Sequence, residues 1–340
     1  MDHGTADHTH LNAHESPPQK LKDLFKAWKS RSQNSLVQLD IISNGFKRLG
    51  SIPKARLQRA LKNFSETFVD HDSEPPSVYG SDDFPGLFIL PSLLPPFAQK
   101  GLLSRLLHRD LSDSKHMTNL HLHYDVSYPE DNRSFFSASP NSIAFHPKDT
   151  KVHKPLTVKT ALEKKIRWVT LGGQYDWTNK VYPSEEPPVF PEDVAALIMD
   201  IFPDMEPQAA IINLYSPGDT LSLHRDVSEE VDKGLVSISL GCDAIFVIGL
   251  QDEKSGTTQS AVLRLRSGDA LYMTGGSRFA WHAVPKIIPD TCPAYLSDWP
   301  VEEFPAWGSW MSNKRINLNV RQMREAGLAS HAEFLGDQGT

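Results

Sequence analysis

Arg315-Ile316-Asn317-Leu318-Asn319-Val320-Arg321 alternates polar and apolar side chains from end to end. A period of two belongs to a β-strand with one packed face and one polar face. Further short runs of strand-forming composition precede it at 210–215, 221–224, 235–241, 244–249, 261–266, 270–273 and 282–286, each bounded by turn residues. A succession of eight such strands predicts a mainly β core with flanking helices, an α+β chain built on a double-stranded β-helix, or jelly roll. The inside of such a core shelters a metal from bulk water.

The polar face of this run holds Arg315, Asn317, Asn319 and Arg321. A solvated edge strand would tolerate that row, and a bound dicarboxylate would suit it, because a forked, permanently charged guanidinium grips a carboxylate. Arg315 and Arg321 are roughly 20 Å apart on an ideal strand at about 3.3 Å per residue. Both reach one small acid only if the strand curves. Upstream, Leu223-His224-Arg225-Asp226 places a histidine and an aspartate two positions apart, on one face of an extended chain. A lone His-x-Asp also arises as a surface salt link. Together with His282, which follows a turn-rich stretch from Met273 to Trp281, it supplies the two imidazoles and one carboxylate of a non-haem Fe(II) facial triad.

Six pieces occur in the order found in one family: Asn213-Leu214-Tyr215-Ser216-Pro217-Gly218, Leu221 to Asp226, Val236 to Gly241, Ser267-Gly268-Asp269, His282, and the Arg-x-Asn-x-x-x-Arg run at 315–321. Over about residues 165–323 the chain resembles the AlkB family of Fe(II)/2-oxoglutarate dioxygenases. The run beginning Arg167-Trp168 and the Tyr-x-Trp after it are most similar to the eukaryotic AlkB homologue one group. The resemblance implies that His224, Asp226 and His282 bind iron and form the catalytic centre. It implies that Asn213, Tyr215, Arg315, Asn317 and Arg321 hold 2-oxoglutarate, with Arg315 on the distal carboxylate and Ser237 beside them. It matches Trp168 and Tyr175 to the lid that covers the substrate base, although an aromatic there could equally cap the barrel. One departure concerns the acid that touches the base in the bacterial family. Ser228 stands where that acid would be, leaving Glu229 as the candidate contact.

The implied reaction is oxidative removal of an N-methyl group from a base, most readily an N-methyladenine, with O2 as oxidant and succinate, CO2 and formaldehyde as products. Flipping a base out of a duplex costs a few kcal/mol, so RNA is favoured over DNA, and single strands or loops over helices. Two other readings stay open at this point: a protein demethylase or hydroxylase with the same iron site, and a non-catalytic nucleic-acid-binding barrel.

The whole chain has 340 residues, 39% of them hydrophobic, and a formal net charge of −7. No stretch approaches the roughly 20 apolar residues of a membrane span, and no membrane partner is expected. A secretory signal and a mitochondrial presequence are not evident, and two cysteines, Cys242 and Cys292, imply no disulfide framework. The expected location is the nucleus, the cytoplasm or both. Charge is unevenly placed. Residues 16–65 carry eleven Lys and Arg against Asp23 and Asp40, and a second basic stretch, Lys151 to Arg167, leads into the lid. Basic residues near one entrance attract phosphates whatever the overall charge, though solvated helix faces would read the same way.

The expected organisation is a tail at 1–18, a basic helical extension and linker at 19–84, and an N-terminal part at 85–205 with the lid at about 165–185. The core follows at 206–325, with an insertion at 287–313, and then a tail at 326–340. Leu21, Leu24, Phe25 and Trp28, and again Leu57, Ala60, Leu61 and Phe64, have the spacing of amphipathic helices. The stretch at 70–84 reads as a linker crossing the surface. In the insertion, Trp299, Trp307 and Trp310 either stack on bases or pin the loop to the barrel.

Overall fold

The computed structural model describes residues 11–12, 14–32, 39, 41–64, 74–176, 181–183, 185–251, 256–325 and 334. The tails expected at 1–18 and 326–340 lie mostly outside this set, as do part of the 70–84 stretch and residues 177–180 of the lid. Strands β1 (Lys47–Ser51), β2 (Ser77–Ser81) and β3 (Phe84–Leu90) come first. Then follow β4 (Tyr124–Val126), β5 (Ile143–Pro147), β6 (Leu156–Thr157) and β7 (Trp168–Gly172). The remainder are β8 (Ala209–Tyr215), β9 (Leu221–His224), β10 (Leu235–Gly241), β11 (Ala244–Gln251), β12 (Thr258–Leu265), β13 (Ala270–Met273), β14 (Trp281–Ile287) and β15 (Arg315–Arg321).

These strands pair antiparallel into a large sheet, ordered β1-β2-β3-β13-β10-β15-β8-β7, a smaller one, β12-β11-β14-β9, and a separate three-stranded sheet, β4-β5-β6. From β8 to β15 the chain passes repeatedly from one large face to the other. Phe246, Ile248 and Leu263 of the smaller sheet share a core with Ile89, Leu235 and Leu271 of the larger, so the two sheets pack face to face.

β15 is central, between β10 and β8, and every residue of it is buried. Its apolar row, Ile316, Leu318 and Val320, joins the outer core beneath the helices Pro96–Ser104 and Glu192–Ile201. The alternate row, Arg315, Asn317, Asn319 and Arg321, therefore lies on the opposite face, between the sheets. The solvated edge strand is excluded, and the polar row is an interior one.

The outer face of the smaller sheet is covered by the helix Gln19–Ser30. Trp28 packs with Ile245, Val247, Val262 and Ile288, and a Cβ placed on Gly249 would lie 2.5 Å from Leu21 Cδ2. The described parts of 19–84 are thus built into the core, contrary to the extension and linker expected from sequence. β1 and β2 likewise extend the large sheet. β2 lies inside the stretch read as a linker, where Val78 is fully buried and Gly80 makes room for Leu49. Strands of this composition form because neighbours pair with them, and local pattern does not reveal that.

In the 287–313 insertion the tryptophans pin the loop and are unavailable to bases. Trp299, Trp307 and Trp310 meet the Phe136 ring edgewise at 5.4, 5.2 and 5.1 Å, and Trp307 Nε1 donates to Phe136 O at 2.8 Å. Among the described residues no helix is long and apolar enough to cross a membrane.

Docking of the first helix rests on Leu21, which is fully buried. Leu21→Ala is expected to lower stability by about 2–5 kcal/mol in urea melts of the full chain. A loss under about 1 kcal/mol would contradict the docking described.

Candidate metal and dicarboxylate site

β9 and β14 are neighbours in the smaller sheet, and their register sets His224 directly opposite His282. The third candidate ligand therefore arrives by cross-strand pairing, with ring centroids 4.2 Å apart. Asp226 follows just past the end of β9. Its Oδ1 lies 4.0 Å from His224 Nε2 and its Oδ2 3.6 Å from His282 Nε2. One ligand atom from each residue lies within 4.8 Å of the other two. Ligand bonds of about 2.1 Å place adjacent ligands of one cation about 3 Å apart, so a small closure of these side chains would enclose an ion.

The protonation pattern suits a cation. His224 Nδ1 lies 2.9 Å from Ser222 O and His282 Nδ1 lies 3.0 Å from Ala280 O. A carbonyl only accepts, so each Nδ1 carries the hydrogen and each Nε2 presents a lone pair. Burial, helped by the nearby His224, pushes His282 down to about 4. Burial works the other way on Asp226, but the Arg321 guanidinium beside it overcomes this and holds the carboxyl well below the usual range. Asp226 Oδ2 is buried without a hydrogen-bond partner, which suits an acceptor for a cation.

Across the interior, Arg315 pairs in register with Tyr215 of β8 and Asn317 with Asn213. Arg315 is 1% exposed, and only its Nη2 is engaged, donating to Ser239 Oγ at 3.0 Å. Arg315 Nε and Nη1 and the Tyr215 hydroxyl are buried and unpartnered, with the guanidinium 5.5 Å from the Tyr215 ring centroid. Donors left unpaired in such a place call for an acceptor, and a carboxylate fits both the fork and the hydroxyl. Asn317, expected on the cosubstrate, turns its amide nitrogen to β10. Its Nδ2 donates to Ser237 Oγ at 2.9 Å and Ile238 O at 3.0 Å, so it braces β10.

Arg321, also expected on the cosubstrate, lies against carboxylates of the chain itself. Its Nη2 lies 2.9 Å from Asp226 Oδ1 and its Nε 3.5 Å from Glu229 Oε1. Glu229 has a side chain only 2% exposed, with Oε2 3.0 Å from Arg278 Nη2 and Oε1 3.4 Å from the Tyr182 hydroxyl. This corrects the sequence assignment of Glu229 to the base. Its carboxylate faces inward because two buried guanidinium groups need a counter-charge.

Arg278 and Tyr182 also border this cluster, and no sequence pattern marks either of them. Arg278 donates to Lys233 O at 2.6 Å and to Asp226 O at 3.0 Å, clamping the loop that carries the aspartate. No local pattern marks a single arginine after Gly275-Gly276-Ser277 as buried. The lid residues lie on the same side. The Tyr175 hydroxyl is 3.2 Å from Ser228 Oγ, and its ring meets Tyr182 edgewise at 5.2 Å. Trp168 is half-buried at the start of β7, in register with Asn213.

Antiparallel sheets enclosing two imidazoles, a carboxylate and a dicarboxylate grip define an oxygenase-type centre. The sequence pattern of the 2OG-Fe(II) oxygenase superfamily matches residues 118–321, and the chain belongs to that superfamily. Within it the chain groups with AlkB-family proteins of the eukaryotic ALKBH1-like kind. It is 48% identical to the N6-methyladenosine RNA demethylase ALKB1 of Pyricularia oryzae, over 94% of this chain and 100% of that one. It is 55% identical to the N6-methyladenosine RNA demethylase ALKBH of Cryphonectria parasitica, over 61% of this chain and 100% of that one. With the tRNA demethylase abh1 of Schizosaccharomyces pombe the identity is 41%, covering 73% and 82% of the two chains.

Two outcomes follow from the charges. His282 takes up a proton near 6.5 when unfolded and near 4 when folded. Between those values the unfolded chain binds more protons, so acidification destabilises the metal-free protein. From pH 6.5 to 5 the loss from this group is about 1.5 kcal/mol. Urea melts of His282→Gln should show a loss smaller by that amount, and equal losses would contradict the assignment. Glu229→Gln leaves Arg278 and Arg321 short of an anion and should cost about 3–5 kcal/mol. A near-neutral effect in the same melts would mean the pair is not buried as described.

Proposed function

We propose that this chain is an Fe(II)/2-oxoglutarate-dependent demethylase of N-methyladenine in RNA, built on a double-stranded β-helix core. The observation that carries the proposal is the coincidence, in one interior, of the His224/Asp226/His282 cluster and the unpaired donors of Arg315 and Tyr215. A metal site alone would suit many reactions. A metal site beside a buried, half-satisfied arginine suits one that uses an acidic cosubstrate.

In this reading His224, Asp226 and His282 hold the iron through Nε2, a carboxylate oxygen and Nε2. Arg315 and Tyr215 grip the distal carboxylate of 2-oxoglutarate, with Asn213 alongside. When bound, iron and 2-oxoglutarate together activate O2 and oxidise the N-methyl group, releasing succinate, CO2 and formaldehyde. Arg321 keeps Asp226 ionised and oriented, and Arg278 fixes the loop on which it sits. Trp168 and Tyr175 would close over the base and exclude water.

The named activities of the relatives support the substrate class, since two act on N6-methyladenosine in RNA and a third on tRNA. Unpaired or loop bases avoid the cost of extrusion from a duplex, which favours single-stranded and loop regions.

The test is formaldehyde release from methylated RNA, methylated DNA and methyl-lysine peptides by the iron-loaded full chain. RNA carrying an N-methyladenine should be turned over fastest, and Asp226→Ala should abolish turnover along with Mn(II) binding. Arg315→Gln should raise the KM for 2-oxoglutarate roughly ten- to hundredfold, the worth of a charge-assisted hydrogen bond of about 1.5–3 kcal/mol, while leaving Mn(II) affinity unchanged. Turnover confined to peptides would overturn the substrate.

A further inference from the structure

The three-stranded sheet β4-β5-β6 has no part in the reaction described above, yet its flank is strongly basic. Residues 143–167 hold seven Lys and Arg against only Asp149 and Glu163, in a chain whose net charge is −7. Both acids are occupied. Asp149 Oδ1 accepts from the Lys151 backbone N–H at 2.8 Å, and Glu163 lies 3.8 Å from Lys159. Arg167 pairs with Asp219, and Lys148 Nζ donates to His121 O at 2.6 Å. Lys151, Lys154, Lys164 and Lys165 are exposed and enter no ion pair among the described residues.

These four lysines are held together by one short helix, Asn119–Leu122. On one side, Lys148 N–H donates to His123 O at 2.9 Å and the His153 ring lies 4.8 Å from that of His123, which fixes the turn bearing Lys151 and Lys154. On the other, Asn119 Oδ1 accepts from Arg167 N–H at 2.7 Å and Asn119 Nδ2 donates to Lys165 O at 2.9 Å. From Arg167 the chain enters β7, where Trp168 is in register with Asn213 and Asn213 with Asn317. Two strand spacings of about 4.8 Å bring the Trp168 backbone within about 10 Å of that of β15. The lysines thus form a strip that leads to the rim of the site.

We propose that this strip binds the sugar–phosphate backbone of the RNA strand that delivers the methylated base, so that the substrate is recognised as a polynucleotide well beyond the base itself. The inference rests on the demethylase reading above. Lysines without ion-pair partners suit phosphates, to which they contribute affinity and position without reading sequence. Outside this strip and the basic stretch at 16–65 the chain carries an excess of acidic residues, which disfavours a polyanion there.

The test uses the full chain prepared without iron, titrated with a labelled stem–loop RNA over a range of salt. The variant Lys151→Glu/Lys154→Glu/Lys164→Glu/Lys165→Glu should bind at least roughly tenfold more weakly and lower the slope of log affinity against log salt by about 3. Lys→Arg at the same positions should keep both. Iron-loaded protein carrying the reversals should demethylate a methylated trinucleotide with the kcat/KM of the wild type. Unchanged affinity and slope with normal trinucleotide turnover would overturn the strip and leave the demethylase reading standing. A wild-type chain that releases no formaldehyde from any methylated nucleic acid would overturn both.

Discussion

A guanidinium buried without an anion costs several kcal/mol, and β15 carries two of them, Arg315 and Arg321, into the space between two sheets. Much of the centre can be understood as the answer to that cost. Arg321 finds its anions within the chain, in Asp226 and Glu229. Arg315 finds only the hydroxyl of Ser239 and the face of Tyr215, with two donors left over. The first arginine from the C-terminal end of the strand completes the structure, and the other awaits a ligand.

That division links stability to chemistry. Asp226 sits against the Arg321 guanidinium, so its carboxylate stays ionised while burial keeps His282 neutral. A divalent cation finds its donors already in the required protonation states. Glu229 and Arg278 hold the loop that places Asp226, so the fold anchors the candidate ligand from behind.

The strands were legible because of period-two alternation in runs such as 315–321, and the metal cluster because His-x-Asp and a later histidine occur in order with the other pieces of the family pattern. The alternation of β15 did not reveal which face is interior. A sheet covered by helices on one side and by another sheet on the other buries both rows, and that is a property of the assembly. Glu229 was misread for a related reason. Its neighbours in space, Arg278 and Tyr182, are 49 and 47 residues away in the chain. Asn317 likewise belongs to the motif, yet its amide braces a neighbouring strand that lies 80 residues upstream. β2 escaped notice because its few apolar residues are placed by pairing with β1 and β3, with little pattern of their own.

The most direct measurement is a crystal structure of the chain soaked without oxygen in Mn(II) and 2-oxoglutarate, with the manganese located by its anomalous signal. One metal peak is expected, bonded to His224 Nε2, Asp226 and His282 Nε2, with the distal carboxylate of the acid on Arg315 Nε and Nη1. A metal elsewhere, or an acid bound with Arg315 still unpaired, would contradict it.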